Sequence, residues 1–184
     1  MTLYDFFGGV CPMDAMTNLL TRRSVRSYKP DPVCPEALER ILTAGTYAAT
    51  GMNKQAPIII AVTNKEMRDR LSRMNAAVMG SDQDPFYGAP AVLVVLADRA
   101  VRTHVYDGSL VMGSLMLAAH AEGVASCWIH RAREMFDSEE GKQILKDLGI
   151  EGDYEGVGNL IIGYADGPAP VTRPRKENYI YRID

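Results

Sequence analysis

The sequence predicts an α+β protein in which one sheet is flanked by helices. Apolar residues repeat with helical spacing in five segments, and four other segments are short apolar runs typical of buried strands. These elements do not alternate regularly, which argues against a parallel sheet built from strand–helix–strand units. A length of 184 residues suits one domain, so we expect residues 1–184 to fold as a single unit.

The first predicted helix has Met13, Met16, Leu19 and Leu20 at the spacing of one helix face. The longest helix, over residues 104–122, is apolar on nearly all sides, so several neighbours must cover it. We expect it to be a central helix shared with a partner subunit. The predicted helices span residues 13–23, 35–49, 64–79, 104–122 and, from Asp137 or Ser138, up to residue 148.

The predicted strands are rich in β-branched residues and are bounded by turn residues. They span residues 57–63, 91–97, 126–129 and 157–164. After Gly167 the chain has three prolines within seven residues. Because proline does not fit the interior of a sheet, we expect residues from about 165 to 184 to form an extended C-terminal arm.

Composition argues against several classes of function. The net charge of −3 disfavours a general role in binding nucleic acid or acidic membranes. No apolar run approaches the ~20 residues of a membrane helix, and the start of the chain lacks the basic residues of a signal peptide. Three scattered cysteines, Cys11, Cys34 and Cys127, predict a reducing, cytoplasmic location. His104 and Asp107 lie one helical turn apart, but two ligands are too few to predict a metal site.

Three arginines and a serine lie together at residues 22–26, which we call the arginine loop. Guanidinium groups repel one another unless solvent or an anion separates them, and arginine binds phosphate oxygens in pairs. Arg22, Arg23, Ser24 and Arg26 therefore suit a phosphate site. The alternative is that these charges complement the negative end of the preceding helix. The cluster alone does not decide between the two.

Two other groups of polar residues suit a nucleotide. Arg173 and Arg175 form a second basic cluster, which would either join the same anion site or remain solvated in a terminal segment. The amides of Asn53 and Gln55 suit the edge of a flavin or a nucleobase. A turn position and a surface position are the alternative for these two residues.

His130 and Arg131 follow the third predicted strand, and strand ends are common ligand positions. A structural histidine is the alternative. Cys127 and His130 would form a nucleophilic pair only if their side chains met. Residues three apart in a strand point to opposite faces, which disfavours that pair.

In combination, these features resemble the FMN-dependent nitroreductase family over nearly the whole chain. Residues 21–28 (TRRSVRSY) look like its phosphate-binding segment, and residues 48–55 (AATGMNKQ) look like the loop with its asparagine and glutamine. The other matching segments, in the same order as in the family, are 86–90 (FYGAP), 107–123 with 126–129 (SCWI), and 161–164 (IIGY) with 173–176 (RPRK).

The resemblance implies a nitroreductase-like fold with a mixed or antiparallel central sheet, in a homodimer whose subunits exchange a C-terminal strand. It implies FMN at the subunit interface, its phosphate on the arginine loop and the arm, with Arg23 nearer the ribityl chain or the ring. Residues 50–55 would come from the partner, and backbone N–H groups near residue 130 would face the reactive edge. The implied FMN-binding residues are Arg22, Arg23, Ser24, Arg26, Thr50, Asn53, Gln55, Ile129, His130, Arg131, Arg173 and Arg175.

The implied activity is ping-pong hydride transfer. NADH or NADPH would reduce FMN and leave before an electron-poor acceptor, such as a nitroaromatic, quinone or enone, is reduced. Because the flavin carries the chemistry, no catalytic side chain is assigned. The alternatives are a flavin-binding redox sensor or FMN carrier, a cysteine enzyme built on Cys127 and His130, and an interaction module without a cofactor.

Overall fold

The computed structural model describes residues 13–168 and 170–184. Its described strands form one sheet in the order β1-β2-β4-β3, with every neighbouring pair antiparallel. They are β1 (Pro57–Val62), β2 (Ala91–Asp98), β3 (Ala125–Ile129) and β4 (Tyr154–Gly163). The α+β class and all four predicted strands are confirmed, and the sheet is antiparallel rather than mixed.

The described helices are α1 (Ala15–Thr21), α2 (Pro35–Thr46), α3 (Lys65–Met79), α4 (His104–Ala121), α5 (Ala132–Asp137) and α6 (Glu139–Asp147). All five predicted helices are present, with ends shifted by a few residues. The sequence missed α5, because six residues are too few to show an apolar repeat. None of the helices in residues 13–168 and 170–184 is long and apolar enough to cross a membrane.

The sheet separates two apolar cores. Leu93 of β2 packs into the core formed with α2 and α4, whereas its neighbour Val94 packs into the core formed with α3, α5 and α6. Successive strand residues point to opposite faces, so β2 is buried on both. This arrangement explains the continuous apolar run that predicted the strand.

Two apolar helix surfaces remain exposed. On α1, Met16, Leu19 and Leu20 are each more than half exposed. On α4, Tyr106 is 74% exposed and Leu110 is 51% exposed. The prediction that α4 is covered on several sides is therefore not met by one chain, and both helices leave apolar surface exposed.

The chain after β4 leaves the sheet. Asp166 donates its backbone N–H to the carbonyl of Ser27, and the described residues beyond it form neither helix nor strand. Those from 170 to 184 are exposed. The outer edge of β1 has no neighbouring strand in the described sheet. The single-domain boundary and the exchanged strand both stay predictions.

Candidate functional site

The arginine loop is fixed against the sheet at the start of β3. The backbone N–H of Val25 donates to the carbonyl of Ser126 at 3.1 Å, and Ser24 pairs with Ser126 as a parallel bridge. The buried ring of Tyr28 donates its hydroxyl back to the Val25 carbonyl at 2.8 Å. These hydrogen bonds therefore fix the backbone segment that carries the predicted phosphate-binding residues.

The two interpretations of the arginine cluster, a phosphate site and a helix C-terminus, apply to different residues of the arginine loop. Arg23 Nη1 donates to the carbonyls of Leu20 at 2.8 Å and Arg22 at 2.7 Å, at the end of α1. Its Nε also donates to the hydroxyl of Thr172 in the arm at 2.9 Å. Arg23 thus satisfies orphan carbonyls at a helix C-terminus, as the dipole interpretation predicts.

Arg22 has the opposite character. Its Nη1 is buried and has no hydrogen-bond partner among the described residues. A buried nitrogen of a charged guanidinium is costly to leave unpaired. Arg26, four residues along, is exposed. The arginine loop therefore offers one unsatisfied buried donor and a free cation, which together suit an anion.

His120, near the end of α4, was missed by the sequence analysis. Its Nε2 lies 2.9 Å from the hydroxyl of Thr21, beside the arginine loop. Burial, and then the charges of Arg22 and Arg23, lower the pKa of His120. Burial first, and the two arginine charges second, therefore disfavour the protonated form of His120.

The second predicted segment, residues 50–55, which we call the amide loop, is tied to α4 by a buried carboxylate. Asp107 accepts the backbone N–H of Gly51 and the hydroxyl of Thr103, both at 3.0 Å. Asp107 is only 3% exposed. Sequence reasoning considered it only as a weak metal ligand, yet it anchors the loop.

Three residues of the amide loop have strained backbone conformations. Met52, Asn53 and Gln55 have φ values of 50°, 54° and 51°, in the region that favours glycine. The Gln55 side chain donates to Asn53 Oδ1 at 3.2 Å, and its backbone N–H donates to Thr50 Oγ1 at 3.2 Å. Strain of this kind concentrates at functional sites.

The third segment, residues 129–131, which we call the strand-end turn, follows β3. Ile129 is buried, His130 is exposed, and Arg131 has a φ of 75°. The Arg131 Nε donates to Asn75 Oδ1 at 3.0 Å. Cys127 is only 1% exposed and lies in the core, so the structure does not pair it with His130.

The structure brings some of these segments together and keeps others apart. Thr21, the residue before the arginine loop, contacts α4 at His120, and the amide loop contacts α4 at Asp107. These two positions on α4 are about 20 Å apart at 1.5 Å per residue. The arginine loop meets β3 at Ser126. The strand ends at Ile129, about 10 Å away at 3.3 Å per residue, where the strand-end turn begins. Within one chain, the arginine loop therefore lies nearer to the strand-end turn than to the amide loop.

Arg173 and Arg175 lie in the exposed arm. The Arg175 guanidinium donates to the carbonyl of Arg173 at 3.1 Å, and neither side chain has a hydrogen bond to the arginine loop in the described structure. Thr172, next to them, does reach Arg23. The arm therefore contacts the arginine loop at Thr172.

The remaining candidates do not form a metal site. In residues 13–168 and 170–184, no group of three or more His, Cys, Asp or Glu side chains is placed to hold a metal ion. His104 contacts the Val101 carbonyl and Glu155, not Asp107. Cys34 and Cys127 are free, and Cys11 lies outside the described residues.

Comparison with known proteins identifies the family. The sequence profile described as "Nitroreductase family" matches residues 19–164. A crystal structure of a nitroreductase with bound FMN from Bacteroides fragilis has a TM-score of 0.84 at 26% identity, covering 94% of this chain and 100% of that one. An Archaeoglobus fulgidus relative, provisionally named NADH dehydrogenase/NAD(P)H nitroreductase, is 28% identical over 177 residues, which are 93% of this chain and 91% of that protein. A relative with the same name from Methanothermobacter thermautotrophicus is 28% identical over 126 residues, 66% of this chain and 63% of that protein.

The chain belongs to the nitroreductase family. The family predicted from the sequence motifs and the nitroreductase-like fold are both confirmed. The match ends at residue 164 and so does not include the arm.

Proposed function

We propose that the protein is an FMN-dependent oxidoreductase that takes hydride from NADH or NADPH and passes it to an electron-poor acceptor. The FMN-bound relative and the NAD(P)H nitroreductase names support the cofactor and the donor. In this chain the proposal rests on the buried Arg22 Nη1, which has no partner among the described residues. We place the enzyme in the cytoplasm, in keeping with the free cysteines Cys34 and Cys127.

A phosphate oxygen is the acceptor that suits Arg22 best. Arginine binds phosphate with paired, charge-assisted hydrogen bonds, and a buried guanidinium gains most from them. In the proposal Ser24 and Arg26 contact the same group. Arg173 and Arg175 join from the arm, which already reaches the arginine loop at Thr172.

The remaining part of the FMN site comes, in the proposal, from a second subunit. A two-fold axis across α4 would place the N-terminal end of one helix beside the C-terminal end of the other. The amide loop of one protomer would then approach the arginine loop and strand-end turn of its partner. Exposed Tyr106 and Leu110, with open space beside Gly113, provide the required surface on α4.

The C-terminal arm is proposed to pair with the partner's sheet. The outer edge of β1 is free in the described sheet, and β1 contributes three consecutive half-buried isoleucines. Free edges of this kind accept a further strand. Tyr179, Ile180 and Tyr181 in the arm are exposed in one chain and gain cover from such pairing.

A Leu110→Glu variant tests the subunit arrangement. A charge on the exposed face of α4 would be desolvated at the proposed interface, so we expect a monomer by sedimentation that has lost FMN. Ala77→Glu, on the exposed face of α3, is the matched control and should stay dimeric. A Leu110→Glu protein that remains a dimer would exclude this face as the interface.

The chain's residues bind and orient, while FMN, when bound, supplies the two-electron chemistry. The Arg131 side chain, fixed by Asn75, and the Arg23 side chain are the candidate cations whose charge favours the reduced cofactor. In the proposal, donor and acceptor approach the cofactor beside the exposed His130 of the strand-end turn. Because the donor and the acceptor would bind the same face of FMN one after the other, we propose a ping-pong order. The proposed acceptors are nitroaromatics, quinones and enones.

An Arg22→Ala, Arg26→Ala double variant tests the proposed cofactor site. The wild-type protein should purify yellow, with one FMN per chain, and should oxidise NADH or NADPH when a nitroaromatic is present. Loss of charge-assisted hydrogen bonds worth about 1.5–3 kcal/mol each should weaken FMN binding at least about tenfold. Arg73→Ala, at an exposed site on α3, is the control.

The outcomes separate the alternatives. Undiminished FMN content and rate in the double variant would refute the phosphate assignment. A yellow wild-type protein that oxidises neither NADH nor NADPH with any acceptor would instead support a redox sensor or FMN carrier.

A further inference from the structure

Two asparagine side chains lie behind the strand-end turn, in the mainly apolar core formed with α3, α5 and α6. Asn75 of α3 and Asn159 of β4 have no solvent-exposed surface. Each side-chain amide approaches the sulfur of Met135, at 3.2 and 3.4 Å respectively. Polar groups in such a core require partners, and these two find them in the turn.

Both side chains hold the same backbone carbonyl. Asn75 Nδ2 donates to the His130 carbonyl at 2.8 Å, and Asn159 Nδ2 donates to it at 3.4 Å. Asn75 Oδ1 also accepts Arg131 Nε at 3.0 Å. One amide group therefore holds the residues on both sides of a single peptide bond.

That peptide bond needs support. Arg131 has a φ of 75°, a left-handed conformation that is strained for a residue other than glycine. It persists only where neighbouring groups determine it. Asn75 is the neighbour with the shortest hydrogen bond to this turn.

The hydrogen bond from Asn75 also fixes which way the peptide faces. In a planar trans peptide the C=O and N–H groups point in opposite directions, and none of the described peptide bonds is cis. Because the His130 carbonyl points inward to Asn75, the backbone N–H of Arg131 points away from the core. A backbone donor aimed outward is what the proposed site requires at this position.

Asn75 and Asn159 stabilise this core less well than apolar side chains would. Asn159 Oδ1 is buried without a partner among the described residues, which destabilises the folded state. Apolar side chains of similar size would fill this core without that penalty. The asparagines are therefore better explained by the geometry that they impose on the turn.

We infer that Asn75 is a positioning residue that holds the His130–Arg131 peptide so that the Arg131 N–H faces the reactive edge of the cofactor. The inference rests on the proposed function, because it assigns the turn to the cofactor site.

An Asn75→Asp variant is the test. It keeps the side-chain size and an acceptor for Arg131, but it removes the donor and sets a carboxylate oxygen against the His130 carbonyl. Asn75→Ala serves if the buried charge prevents folding. Ser72→Ala is the control, since Ser72 lies three residues earlier on α3 and bonds Asp84 at 2.5 Å rather than the turn.

The first readout is the backbone amide signal of Arg131 in the NMR spectrum, with and without FMN. Without FMN, we expect the Arg131 signal of both Asn75 variants to be shifted from its wild-type position. Adding FMN should change this signal in the wild-type protein but not in the variants. The midpoint potential of bound FMN should become more negative, and reduction by NADH should slow at least about tenfold, as when an oriented backbone donor is lost. Ser72→Ala should lose stability only.

Asn75 variants that lose stability but keep the wild-type Arg131 signal and FMN potential would overturn the inference and leave Asn75 a structural residue. A wild-type protein that takes up no FMN would instead refute the proposed function. The Arg131 signal of the cofactor-free variants would still report whether Asn75 sets the peptide.

Discussion

Replacement of Asp107 by alanine should release the amide loop from α4. The carboxylate is buried and accepts two hydrogen bonds, from the Gly51 N–H and the Thr103 hydroxyl, both at 3.0 Å. It also lies in the first turn of α4, where a negative charge interacts favourably with the helix dipole. Asp107→Ala removes all three interactions at once.

The size of the effect follows from these contacts. Hydrogen bonds to charged groups contribute about 1.5–3 kcal/mol each, and the helix-terminus term adds about 0.3–1 kcal/mol. Relief of the desolvation cost of a buried carboxylate offsets part of that sum. We expect a net loss of about 2–3 kcal/mol for Asp107→Ala and about 1 kcal/mol for Asp107→Asn, which keeps an acceptor for Gly51.

Urea unfolding of the cofactor-free protein, at one fixed protein concentration, measures this loss without the contribution of bound FMN. FMN affinity, measured separately, should fall with Asp107→Ala more than with Asp107→Asn, because the amide loop is proposed to contact the cofactor. An Asp107→Ala protein within about 0.5 kcal/mol of the wild-type free energy of unfolding would refute the anchoring role, since surface substitutions give changes of that size.

Three other perturbations have predicted outcomes. Burial alone would raise the pKa of Asp84. Hydrogen bonds from Arg68 and neighbouring groups outweigh burial and lower the pKa to about 2. Asp84→Asn should therefore cost about 1 kcal/mol at neutral pH, allowing for a side chain that is 38% exposed, and this cost should vanish as the pH falls from 3.8 to about 2. The lowered pKa of His120 means that FMN phosphate at the arginine loop should raise it again, so binding near pH 6 should take up protons, as calorimetry in two buffers would detect. In Gly156→Ala the new Cβ would overlap the Ala132 carbonyl in the first turn of α5, costing about 3 kcal/mol in thermal or urea unfolding.

Each of these outcomes has a clear contrary. If the free energy of unfolding falls with pH in the same way for Asp84→Asn and the wild type, Asp84 does not contribute to acid stability. For the cofactor-free protein, the His120 shift predicts that the free energy of unfolding falls as the pH drops below 6.5, because the unfolded chain binds more protons. A binding enthalpy independent of buffer would contradict the His120 prediction, and a Gly156→Ala protein of wild-type stability would contradict the packing at α5.

The sequence predicted the features that have local causes. Asn64 accepts the Met67 N–H at 2.9 Å and begins α3, and Gly123, with a φ of 69°, follows the end of α4. Apolar runs identified every described strand, because helices bury β2 and most of β4 on both faces and leave β1 and β3 at least partly buried. Such signals need only a few adjacent residues, so one sequence carries them.

The features that the sequence missed depend on distant contacts. Asp107 and Gly51 are 56 residues apart, and Asn75 and His130 are 55 residues apart, so no local spacing reveals either contact. Arg22 and Arg23 have the same chemistry, and only the end of α1 distinguishes them, because Arg23 turns back to the Leu20 carbonyl. The exposed face of α4 is different, because its apolar pattern already predicted a helix shared with a partner, and the proposed cover is a second copy.

The most direct test of the central claim compares FMN with riboflavin, which has the same ring but no phosphate. If the arginine loop holds the phosphate, calorimetric titration of the cofactor-free protein should give an FMN affinity at least about 100-fold higher than that for riboflavin. Arg22→Ala should remove most of that difference while leaving riboflavin binding unchanged. Equal affinities for the two flavins in the wild-type protein would contradict the claim.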